Sequence, residues 1–91
     1  MATVMQHEMQ DLFEGMGREH LLETIGYLCD DCCRLRREIE ACGGKAPAGK
    51  YSPRVDHEVA CHRDIVEEAV NAYDLSMACR AAADKLAGVI R

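Results

Sequence analysis

Residues 21–42 read LLETIGYLCDDCCRLRREIEAC, and the spacing of their apolar members decides the fold class. Leu21, Ile25, Leu28, Cys32, Leu35, Ile39 and Cys42 recur at alternating steps of four and three. On an α-helix such residues share one face and form a heptad seam of the coiled-coil kind. Glu19 and Glu23 lie near the start of this stretch and Arg34, Arg36 and Arg37 near its end, an order that suits the helix dipole. Gly43 and Gly44 then stop the pattern, since glycine takes the left-handed position after a helix C-terminus at little cost. The stretch therefore predicts a helix over about 18–42.

Upstream, Met5, Met9, Leu12 and Met16 recur at helical spacing with Phe13 beside them, which predicts a first helix over about 3–14. Its methionines make an adaptable apolar face. Gly15 and Gly17 weaken the helix, and the step from Met16 to Leu21 breaks the phase, so a short turn is expected at 15–18. Downstream, residues 43–52 are rich in glycine and lysine and read as a loop. Ser52 and Pro53 suit the N-cap and first position of a third helix running over about 53–90.

That third helix carries two apolar stripes. One is His62, Ile65, Ala69, Ala72, Ser76, Cys79, Ala83, Leu86 and Ile90; the other is Val59, Val66, Val70, Tyr73 and Met77. Together they are wider than one partner helix covers, so this helix is expected to be central. A short loop between two long helices implies antiparallel neighbours, pairing Cys32 with Ile65 and Leu21 with Ser76. The methionine helix would then cover the remaining turns, Cys79 to Ile90. The expected architecture is one all-α domain over 1–91: a long antiparallel helical hairpin plus a short N-terminal helix, dimerising into a bundle.

Composition narrows the function. Ninety-one residues suit one domain, and a chain this small gains from association with a second copy. With 4% aromatics and no Trp, the core must be aliphatic and thiol-rich. The net charge of −5 disfavours nucleic acid as the main partner. Met1–Met16 carries Glu8, Asp11 and Glu14 and does not resemble a secretory signal, and no stretch is apolar enough to span a bilayer. The expectation is a cytoplasmic protein whose six cysteines stay reduced, as core residues, metal ligands or a redox switch.

The residues with chemical potential are few. An antiparallel hairpin would bring Cys32 and Cys33 near the turn carrying His57 and Cys61, a soft donor set of the type zinc takes, with Cys29 as an alternative ligand. His57-Glu58-Val59-Ala60-Cys61 misses the zinc-protease pattern in its last position. Gly44 to Lys50 matches the glycine and lysine positions of a phosphate loop. However, Tyr51 replaces the hydroxyl residue, and a helix rather than a strand precedes it. Cys61 and His62 are adjacent and diverge on a helix, so they form no catalytic dyad.

No enzymatic activity is expected. The expected function is a non-enzymatic helical interaction module, an adaptor, regulator or inhibitor, contacting a protein partner through Val59, Val66, Val70, Tyr73 and Met77, with Met5 and Met9. The alternatives are a zinc-binding or thiol-redox-responsive protein using the cysteine and His57 cluster, with zinc as its cofactor, and an acidic mimic that occludes a nucleic-acid-binding site.

Overall fold

The computed structural model describes residues 8–49, 56 and 58–90, with side chains to residue 88. Among these the fold is all-α. Helix α1 spans Gln10–Glu14, α2 Arg18–Ala41 and α3 His62–Ile90, and the two long helices pack against each other.

The second helix forms as its seam predicts. Leu21, Ile25, Cys32, Leu35 and Ile39 are its buried residues. At its C-terminus Gly43 takes φ +80°. The Gly44 N–H donates to Ile39 O at 2.9 Å and the Gly43 N–H to Glu40 O at 3.0 Å. This pair of bonds is the Schellman motif, which satisfies carbonyls the helix would otherwise leave open.

The polarity of the helix pair differs from the expectation. The two helices run parallel. At their starts, Arg18 Nη1 donates to Ala60 O at 2.7 Å, and midway Cys32 Sγ lies 3.9 Å from Ala72 O. At their ends, Ile39 and Cys42 share a groove with Ala83, Leu86 and Ala87. The core accordingly divides by level. Leu21 and Ile25 pack with Ile65, Val66 and Ala69, while Cys32, Leu35 and Ile39 pack with Leu75 and Cys79. An antiparallel pair would have brought Leu21 to Ser76 and Cys32 to Ile65.

The reason lies in the link. The third helix begins at His62 rather than near 53, so residues 42–61 separate the two helices. Ser52 and Pro53, the expected start, lie outside the described residues. Before the helix, Asp56 Oδ1 accepts the Glu58 N–H at 3.0 Å and Asp56 O the Ala60 N–H at 2.8 Å, which closes a single turn. Cys61 then acts as the N-cap residue, its carbonyl accepting from Asp64 and Ile65.

A link of this length reaches ~60 Å when extended, against ~36 Å for a 24-residue helix. It can therefore return along the pair. A Cβ on Gly44 would lie 2.7 Å from Leu86 Cδ1, and one on Gly49 would lie 2.9 Å from Leu75 Cδ1. Ala46 packs on the lower cluster and Ala60 on the upper one. The described residues Gly44 to Gly49 thus run along α3 from the Leu86 level to the Leu75 level, and Ala60 lies at the upper cluster.

The third helix buries Ile65, Ala69, Ala72, Ser76 and Cys79 of its expected main stripe, and also Leu75, which belonged to neither stripe. Helix α1 packs on α3, but at its N-terminal half. Phe13 is buried against Ile65, Val66 and Ala69, and its ring meets Tyr73 edge-on at 6.4 Å. The His62 Nε2–H donates to Glu14 O at 3.0 Å. The Cys79–Leu86 turns are instead served by the end of α2, because parallel pairing and a three-residue break keep α1 at the other end.

Candidate functional site

The expected partner face lies mainly on α3, and α1 decides how much of it stays open. Val66 is buried beneath Phe13 and belongs to the core. Val59 precedes the helix and stands 80% exposed, away from the stripe it was grouped with. Val70, Tyr73 and Met9 are half-buried around the Phe13 cluster. Met77, one turn beyond Tyr73, is 45% exposed. Met5 lies outside the described residues. What remains of the face is therefore a short apolar strip, Val70, Tyr73 and Met77, emerging from under the edge of α1. Phe13, the one phenylalanine of the chain, is the sequence signal for this cover.

The thiol cluster does not assemble. Cys32 sits against Ala72, whereas Cys61 lies beside Ala60, whose carbonyl meets Arg18 at the start of α2. Eleven residues of α3 separate Ala72 from Cys61, an axial distance of ~16 Å, while a zinc–sulfur bond is ~2.3 Å. Cys61 therefore cannot share an ion with Cys32 and Cys33, and the parallel polarity is the cause. His57 lies outside the described residues. No group of three or more His, Cys, Asp or Glu among the described residues could hold a metal.

The cysteines divide instead by burial. Cys32 and Cys79 are buried in one cluster, Cys29 is intermediate, and Cys33, Cys42 and Cys61 are exposed. Burial, aided by the neighbouring thiols and Asp31, pushes Cys32 up to about 11. Burial raises Cys79 too, against an opposing influence of Arg36. Both stay protonated near neutral pH, which suits packing rather than nucleophilic or ligand chemistry. On the outer face of α2, Tyr27 donates to Glu23 Oε1 at 2.9 Å, and that bond holds the phenol above its ordinary value.

No family model matches this chain, and no curated protein or solved structure is detectably similar to it. No described helix is long and apolar enough to cross a membrane. The functional reading therefore rests on the surface itself.

Charge on that surface is segregated end to end. Asp11 and Glu14 of α1, Glu19, Glu23, Asp30 and Asp31 of α2, and Asp64, Glu67 and Asp74 of α3 all precede the Cys32–Leu75 level. Arg18 and Arg63 are the only described lysines or arginines among them. Beyond that level Arg34, Arg36, Arg37, Lys45, Arg80 and Lys85 outnumber Glu38, Glu40 and Asp84. Each helix alone has the order its dipole favours, acids early and bases late. Because the helices are parallel, the two gradients add, and the unit has an acidic end and a basic end.

Proposed function

We propose that the protein is a non-enzymatic interaction module that binds a helix of a protein partner along α3. The observation that carries this reading is the strip Val70, Tyr73 and Met77, whose exposed member continues a row already half-covered by α1. Rows at this spacing are what a partner helix needs to dock by side-chain interdigitation. Tyr73 suits an anchoring role, since an aromatic ring offers much contact area at low entropic cost.

The test separates binding from folding. Met77→Asp alters an exposed residue and should leave helicity unchanged. Capture from native cell extract with wild-type and Met77→Asp protein should show one or more partners retained by the first and lost by the second. Identical partner sets for both proteins would remove the strip from the function. Tyr73→Asp is a poorer probe, because it also breaks the contact with Phe13.

A further inference from the structure

At Val70 the partner strip runs into a cleft between α1 and α3. The cleft has a volume of about 760 Å³, and Val66 and Val70 give it an apolar lining. Among the described residues that line it, Glu14, Arg63 and Glu67 are the charged ones. His62 lies at the same place, its ring engaged by Glu14 O.

The border of the strip is acidic. Glu67 lies three residues before Val70, and Asp74 lies four after Val70 and three before Met77. These spacings make neighbours on a helix, so both carboxylates follow the edge of the apolar row. Both residues are exposed. Across the cleft, Glu14 Oε1 accepts from the Gln10 amide at 3.0 Å, a bond that brings no opposing charge. Arg63 stands four residues before Glu67, at the His62 end of the cleft. Arg80, three residues beyond Met77, lies 3.4 Å from Asp31. Glu14, Glu67 and Asp74 thus outweigh Arg63 along the row.

We infer that the partner helix is basic and amphipathic. Its apolar row meets Val70, Tyr73 and Met77, and lysines or arginines beside that row face Glu14, Glu67 and Asp74. The inference rests on the strip being the partner site. Lysine and arginine suit the place twice over, since their stems cover apolar lining while their heads reach carboxylates at the border. An acidic helix would set like charges against each other, so the border selects the partner as well as steering it.

Two synthetic helical peptides serve as probes. Both carry leucines at steps of three and four; one has lysines beside the leucine row and the other glutamates in the same places. By fluorescence anisotropy at about 0.1 M salt, the full chain should bind the lysine peptide about tenfold tighter than the glutamate peptide, the size of effect expected of a few exposed charge pairs. At about 1 M, where the Debye length is ~3 Å, the preference should vanish. Glu67→Lys combined with Asp74→Lys should reverse it, making the glutamate peptide the tighter ligand. Circular dichroism checks that the double variant keeps its helicity, and Glu67→Lys alone should shift the preference in the same direction.

Equal affinity for the two peptides, binding of neither, or a preference that charge reversal leaves unchanged overturns the inference. The strip itself is judged separately, by the partners that Met77→Asp loses from cell extract. If the double lysine variant still captures those partners, the strip stands and the basic partner falls.

Discussion

Glycine 49 offers a direct test of the path that the chain takes between the long helices. A Cβ built there would lie 2.9 Å from Leu75 Cδ1 and 3.2 Å from Leu75 Cβ. The first contact could be relieved by rotating a side-chain tip, but the second is to an atom fixed by the α3 backbone. Gly49→Ala therefore forces the return segment off the helix by a few tenths of an ångström, an overpacking cost of about 1–3 kcal/mol. Reduced freedom of the unfolded chain returns about 0.4–1 kcal/mol. The net expectation is a loss of about 1 kcal/mol, or a fall in Tm of about 4–8 °C for a domain of this size. Had residues 43–52 formed an exposed hairpin turn, the same change would be neutral or stabilising. Gly26 supplies the control: it lies inside α2 with nothing within 4 Å of a built Cβ, so Gly26→Ala should stabilise by about 0.5–1 kcal/mol. Urea denaturation of both variants reads the two signs. A Gly49→Ala protein at least as stable as wild type, beside a stabilised Gly26→Ala, would refute the packing of the return segment against Leu75.

Phe13→Ala should cost about 3–5 kcal/mol, because it empties a fully buried site between α1 and α3 and removes the edge-on contact with Tyr73. Thermal melting should fall by about 15 °C or more, and a change within a few degrees would show that α1 is not docked as described. The protein should also lose stability as pH rises from 9.0 towards 11. In that window the unfolded Cys32 has released its proton, while burial retains it in the folded state. The stability is fully present below 9.0 and is lost through about 11, to the extent of about 1–2 kcal/mol, with Cys79 adding in the same direction. Cys32→Ala should flatten the slope of ΔG against pH across this interval, and an unchanged slope would sink the assignment.

Much of the fold was legible because helical periodicity is a strong signal. The seam residues of α2, the Gly43 terminus and most of the inner stripe of α3 were readable from spacing alone. Polarity was not, and the reason is physical. A heptad seam is the same stripe whichever way the partner runs, so only the connecting segment fixes direction. Ser52-Pro53 suggested an early helix start and hence a short loop, whereas the described helix begins at His62. One misplaced boundary then propagated. It put Cys61 near Cys32, sent α1 to the wrong end of α3, and hid the addition of the two charge gradients. Val70, Tyr73 and Met77 lie on one face of α3, as their spacing predicts. Val66 differs from the rest of its stripe because Phe13, the buried centre of α1, covers it.

Parallel pairing also has a consequence for how the chain acquires its shape. Arg18 meets Ala60 and Cys32 meets Ala72, separations of 42 and 40 residues. An antiparallel hairpin could zip from its turn, each new contact closing a loop only slightly larger than the last. Here no contact between the long helices is local. The first one formed must close a loop of about forty residues, with an entropic cost that grows as (3/2)RT ln n. Later contacts then come almost free of that cost. The helix pair should therefore assemble as one cooperative step, more slowly than its helical content alone would suggest, with the return segment settling onto α3 in the same event.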